Sequence, residues 1–201
     1  MERFIKAIQR LCPAAILGSV LTAALLALPA RGEELRAKNT HEVIAKYLRA
    51  FTAYVIWPTN SPPTNSQPWR IAVLGNDPFD EALTLAVKNQ PVANREFEII
   101  HAMKVEDLPA CDVVYLATKK SEVAEKWLAE IGRRPVLTVG ETTDFLELGG
   151  MIQMVTVVEA RSAVVRFSVN LDSTKMRGFK FRTEMLGKAL RIVKDWKPDK
   201  S

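Results

Sequence analysis

Cysteine and histidine are nearly absent from this chain, and most of the familiar protein chemistries are missing with them. There are two cysteines and two histidines in 201 residues. His41 and His101 stand alone, with no second ligand at H-x-x-x-H or a comparable spacing, so neither begins a metal motif. Cys12 lies in the apolar N-terminus and Cys111 far from it, so no internal disulfide framework is available. No G-x-S-x-G elbow, G-x-x-x-x-G-K-[ST] loop or G-x-G-x-x-G turn occurs. Blocks of like charge are also missing, which argues against a nucleic-acid surface. The expectation is a protein with no catalytic residues, no metal and no cofactor.

Much of what is present lies at the N-terminus. Arg3, Lys6 and Arg10 precede an uncharged run from Ala14 to Leu28, and small residues at Ala30 and Gly32 come before the charged stretch Glu33-Glu34-Leu35-Arg36. That order reads as a secretory signal peptide over residues 1–32. The alternative is an uncleaved anchor to the inner membrane, because Leu11 to Leu28 approaches the length of a span. Both readings export everything after Glu33. The leader carries +3 of the formal net charge of +5, so the exported part is close to neutral at +2. It has about 170 residues, enough for one domain with a real core. Cys111 is then its single thiol, read as a packing residue or as one half of an intermolecular disulfide.

Periodicity after a short exposed segment, residues 33–40, places the elements. Thr40 is expected to cap a helix reaching Trp57, with Val43, Ile44, Tyr47, Leu48, Phe51, Tyr54 and Val55 on one wide apolar face. A loop from Thr59 to Pro68 leads to a strand at Arg70–Leu74. Asp77 and Pro78 then suggest the start of a helix that ends before Pro91. Strands follow at Phe97–Ala102, Val113–Ala117 and Pro135–Val139. Between the last two, Ser121 is expected to cap a helix carrying Val123, Ala124, Trp127, Leu128 and Ile131. Met151–Val158 and Ala163–Val169 form an antiparallel hairpin with a loop of three or four residues. Met185, Leu186, Ala189, Leu190 and Val193 predict a terminal amphipathic helix. The fold class is α/β: a single domain over residues 41–197, with a mixed sheet, helices on both faces, and a C-terminal antiparallel hairpin followed by a helix.

Chemical candidates are few. Cys111 and His101 could form a nucleophile–base pair, although Cys111 opens an apolar strand. The turn at Gly75-Asn76-Asp77 leads into a helix start, but Asp77 and Asp80 would repel an anion there. The loop Gly140–Gly150 combines Asp144, an aromatic Phe145 and the pair Gly149-Gly150. It is read as an exposed contact surface for a partner or a small ligand.

The order of several segments resembles one family. The helix ends in Tyr54-Val55-Ile56-Trp57-Pro58, and the first long strand reads Arg70-Ile71-Ala72-Val73-Leu74-Gly75-Asn76-Asp77-Pro78-Phe79. Cys111-Asp112-Val113-Val114-Tyr115-Leu116, Pro135-Val136-Leu137-Thr138-Val139-Gly140, and Phe145 ahead of Gly149-Gly150-Met151-Ile152 follow. Val165-Arg166-Phe167-Ser168-Val169-Asn170, Gly178, Met185-Leu186 and Ala189 complete the series. Over about residues 41–195 the chain is similar to the YfiR-like family of periplasmic proteins.

The resemblance implies a signalling regulator that represses a membrane diguanylate cyclase through its periplasmic sensor region, lowering cyclic di-GMP and biofilm formation. An accessory protein of a sensor histidine kinase or TonB-type receptor, binding a small molecule, is the alternative it leaves. The implied partner is the periplasmic domain of a membrane signalling protein, and a homodimer stays open. Two departures stand out. Redox control through several cysteines is not expected of an exported part that keeps Cys111 alone, and Arg182-Thr183 replaces a Ser-Ser pair before the last helix. Arg182 therefore joins Asp144, Phe145, Gly149 and Gly150 as an expected partner- or ligand-binding residue.

Overall fold

A computed structural model describes residues 28–58, 67–159 and 162–197, with side chains from residue 40 onward. The chain divides into two units, Met1–Lys38 and Asn39–Ser201. The sheet, the core and the candidate site all lie within the second. The leader expected over residues 1–32 lies outside the described residues apart from a few helical positions at its end. Among the described residues, no helix is long and apolar enough to cross a membrane.

Helix α1 spans Leu28–Tyr54, so it starts well before the expected cap at Thr40. The intervening Glu-Glu-Leu-Arg-Ala-Lys is a run of strong helix formers that needs no cap at Thr40. The helix also stops three residues short of Trp57. β-Branched Val55 and Ile56 leave it as β1 (Val55–Ile56), ahead of Pro58. The remaining elements in chain order are β2 (Trp69–Gly75), α2 (Ala82–Val87), β3 (Phe97–Ala102), β4 (Val113–Ala117) and α3 (Ser121–Ile131). Then come β5 (Leu137–Gly140), β6 (Ile152–Glu159), β7 (Ser162–Asn170), α4 (Leu171–Met176), β8 (Lys180–Phe181), α5 (Thr183–Leu186) and β9 (Ile192–Val193).

Seven strands form one sheet in the order β3-β2-β4-β5-β6-β7-β9, and β1 pairs with β8 in a small second sheet. From β3 to β6 all neighbours are parallel; β6 and β7 form the expected antiparallel hairpin. Alternation along the central strands divides the core. Ile71, Val73, Val113, Tyr115, Leu137 and Val139 meet Ile44, Leu48 and Phe51 of α1 and Leu83 and Val87 of α2. Ala72, Leu74, Val114 and Leu116 face the other way, onto Ala124, Leu128 and Ile131 of α3. Helices therefore cover both faces, which is why β2 and β4 read as continuous apolar runs.

Three local expectations are corrected. Asp77 does not cap α2; its carboxylate accepts the Phe79 N–H at 2.8 Å, and the chain passes through Asp80 at φ 49° before the helix begins. Ser121 is the first residue of α3 and not its cap, because its hydroxyl donates to Asp144 at 2.8 Å. The hairpin pairs one step further than expected, to Glu159 opposite Ser162, which leaves residues 160–161 between the strands.

The terminal helix is also redrawn. The helix that follows the hairpin is α4, capped by the Asn170 side chain, which accepts the N–H groups of Asp172 and Ser173. Met185 and Leu186 belong to the one-turn α5. Beyond Gly187 the chain straightens: Leu190 donates its N–H to the Phe167 carbonyl at 2.7 Å, and β9 pairs in parallel with Val169 and Asn170. The unpaired edge of β7 outweighs the helical period, because its backbone groups need partners.

Candidate partner-binding surface

The expected contact loop is a structural brace. Phe145 is fully buried between Gly140 and Gly150, whose missing side chains make the space for its ring; a Cβ on Gly140 would meet that ring at 2.5 Å, and one on Gly150 would lie closer still. Phe145 is therefore core, and the expectation that it forms an exposed contact is overturned. Gly149, at φ +93°, lies against the ring of Trp196, whose indole N–H donates to the Glu147 carbonyl at 2.7 Å. Its own carbonyl accepts the Ser173 hydroxyl and, at 3.4 Å, the Arg177 guanidinium. Asp144 is half-buried and engaged by Ser121. The loop folds around Phe145 because two glycines leave a hole that an aromatic ring fills, and no local period reports such a hole.

Polar side chains gather at the C-terminal ends of β2, β4 and β5. Glu141 accepts the Tyr115 hydroxyl, and the His41 ring nitrogen lies 3.2 Å from the same carboxylate oxygen. Burial pushes the Glu141 carboxyl up, but the His41 ring, the Tyr115 hydroxyl and nearby Lys119 outweigh it and hold the group below its usual range. Burial, and then the Glu141 charge, push the Tyr115 phenol up, so it remains a donor. His101 pairs with Asp77 at 3.3 Å. The arrangement ties α1 to the sheet across 100 residues of sequence. Among the described residues, no group of three or more His, Cys, Asp or Glu side chains is placed to hold a metal ion.

At the opposite end of the strands, Arg95 is buried over the Trp69 ring, 3.6 Å from its centre. It donates to the carbonyls of Gln67 and Pro68 and lies 3.8 Å from Asp112. Cys111 beside it is free, and burial with the Asp112 charge pushes its thiol up to about 12. It is therefore no nucleophile at neutral pH. Nor does the structure bring it to His101. His101 is level with Val73 of β2, whereas Cys111 lies two residues before Val113, which is level with Ile71. Four residues of strand, about 13 Å, separate the two levels.

An open surface does form between α1 and α5. A groove of about 110 Å³ is lined by Tyr47, Ala50, Phe51, Tyr54, Phe167 and Met185, with Glu184 and Lys188 contributing one charge of each sign. The wide apolar face of α1 divides to make it. Ile44, Leu48 and Phe51 are buried in the core, whereas Val43 and Tyr54 are 37% and 42% exposed. Ile56, 47% exposed, continues the apolar surface onto β1. Arg182 is exposed where α5 starts, its backbone N–H on the Tyr54 carbonyl at 3.1 Å, so it borders this groove and not the Phe145 loop. Sequence reasoning missed the groove, although its signal was legible: the apolar face of α1 is wider than a one-sided core contact requires.

Residues 41–189 match the model of the family described as YfiR/HmsC-like. No curated protein matches the chain. Among solved structures, it is similar to a conserved domain protein from Vibrio cholerae O1 biovar El Tor, at 14% identity and a TM-score of 0.46, over 62% of this chain and 54% of that one. It is also similar to an ABC domain crystallised with L-Trp from Streptococcus pneumoniae, at 11% identity and a TM-score of 0.49, over 74% of this chain and 60% of the other. The chain thus spans less than two thirds of the length of either structure.

Proposed function

The chain belongs to the YfiR/HmsC-like family, and from that premise we propose that it represses a membrane diguanylate cyclase by binding the enzyme's periplasmic sensor region. Members of the family are periplasmic regulators rather than enzymes. The match over residues 41–189 carries the reading, because it covers every strand of the large sheet except β9, the buried core residues and the groove. The groove between α1 and α5 is the contact surface. Its volume admits one ring or branched side chain, and Glu184 and Lys188 at its rim receive flanking charges of either sign. Arg182 extends that rim. Asp144, Gly149 and Gly150 hold the Phe145 loop and are not among the residues that line the groove.

Deleting the gene should raise cellular cyclic di-GMP, and restoring the chain should lower it. Tyr54→Lys, which places a charge at the mouth of an apolar groove, should restore neither repression nor co-purification with the cyclase's periplasmic domain, while leaving the thermal melt close to wild type. A Tyr54→Lys protein that folds, binds and represses normally removes the groove from the reading. Unchanged cyclic di-GMP on deletion removes the cyclase.

A further inference from the structure

Charge is distributed unevenly along the chain. Lys175 to Lys197 holds eight Lys or Arg residues against Glu184 and Asp195 alone, a net +6. Residues 33–201 together carry +2, so the part outside that stretch is acidic, at −4. Three of the eight cations are engaged within the fold. Lys175 lies 4.0 Å from Asp172, Arg191 pairs with Glu147 at 2.8 Å, and Arg177 turns onto the carbonyls of Gly132 and Gly149. Lys194 and Lys197 stand on either side of Asp195-Trp196, whose indole meets Gly149 and Glu147 and does not line the α1–α5 groove. Lys180, Arg182 and Lys188 remain. All three are exposed, and none has a carboxylate partner among the described residues. Backbone pairing brings them to the groove. Lys180 is opposite Ile56 in the β1–β8 pair, and the Arg182 N–H donates to the Tyr54 carbonyl. Val55 and Phe181 of that pair are buried, so exposed Ile56 and Lys180 share its outer face. Lys188 lines the groove itself, where Glu184 is the one carboxylate.

We propose that the groove takes an acidic segment of a protein partner, with an aromatic side chain seated between α1 and α5 and carboxylates on either side of it. This rests on reading the groove as the contact surface. Charge and shape divide the work. Three unpaired cations around apolar Tyr54 and Ile56 repel a basic segment and draw an acidic one in across the Debye length, about 8 Å at physiological ionic strength. The groove then holds the ring, because burial of an aromatic anchor supplies most of the affinity at such a contact. A lipid surface fits less well. It presents continuous negative charge to Glu184 as well as to the cations, and it has no single protruding ring for a groove of about 110 Å³. A polypeptide can set carboxylates opposite Lys180, Arg182 and Lys188 and leave Glu184 facing an amide.

The probes are labelled peptides of equal length, titrated into the purified protein. One has a central Phe flanked by Glu and Asp, one has the same Phe flanked by Lys, and one is acidic with Gly in place of Phe. The acidic Phe peptide should bind and weaken as salt is raised, and each of the others should bind at least about tenfold more weakly. Lys180→Glu combined with Arg182→Glu should weaken the acidic Phe peptide by about tenfold or more while the thermal melt stays close to wild type. Lys194→Glu combined with Lys197→Glu changes the net charge equally and should leave binding as it was. Binding of no peptide, equal binding of the Lys-flanked peptide, indifference to salt, or an equal loss in the Lys194/Lys197 pair overturns the proposal. Sedimentation with phosphatidylglycerol vesicles in the absence of peptide binding also overturns it, in favour of a lipid surface. The two readings fail separately. Unchanged cyclic di-GMP on gene deletion, with the acidic Phe peptide still bound, removes the cyclase and keeps this surface; raised cyclic di-GMP without preference for the acidic peptide does the reverse.

Discussion

Phe145 is held by what its neighbours lack. Its ring occupies the space over Gly140 and Gly150, and it belongs to the core on the α3 face of the sheet. Phe145→Ala should therefore cost about 3–5 kcal/mol in denaturant unfolding. Gly150→Ala should be comparably damaging, since the new methyl and the ring cannot share the space. Arg182→Ala, at an exposed position, should leave stability within about 0.5 kcal/mol and lower repression. Glu141 supplies a pH-dependent contribution. Its carboxyl is held below its usual range in the folded chain, so its stabilisation is complete above the unfolded value and is lost as pH falls through the folded one. Glu141→Gln should flatten the acid limb of melting temperature against pH; an acid limb identical to wild type would show that the carboxylate contributes nothing there.

Strands β3 and β4 coincide with the ranges read from periodicity, and helix α3 differs only in its first residue, because burial of a stripe or of both faces is a local property of those segments. The C-terminus is the opposite case. Met185, Leu186, Ala189, Leu190 and Val193 do recur with a helical period, yet the edge of β7 takes the last of them as β9. That competition depends on a strand over twenty residues away and leaves no local mark. The Phe145 loop was misread for the same reason, whereas the groove was foreshadowed by surplus apolar width on α1. Trp196 joins these elements: its backbone N–H donates to Asp172 at 2.8 Å and its ring packs on Gly149. Trp196→Ala should cost about 2 kcal/mol and speed amide exchange at Gly149 and Gly150. Protection unchanged at both glycines would show that the ring does not brace the loop.

Across the whole molecule, stability rests on packing against both faces of one sheet. With Cys111 free and its thiol pushed up to about 12, thermal melts with and without reductant should coincide; a large drop with reductant would reveal an intermolecular disulfide. Intact mass after osmotic shock should correspond to a chain beginning near Arg31–Glu33. Full-length mass, recovered from membranes alone, would indicate an anchor instead.

The late position of β9 and Trp196 in the chain bears on how the protein is made. Synthesis delivers the N-terminus first, but α1 packs on strands that emerge long after it, and the partner of the β7 edge and the support beneath Gly149 arrive only with residues 190–196. A chain whose residues 190–196 have not yet emerged cannot complete its sheet. Until then the β7 edge is unpaired and Gly149 lacks the Trp196 ring, so the native sheet closes last at the end the chain makes last.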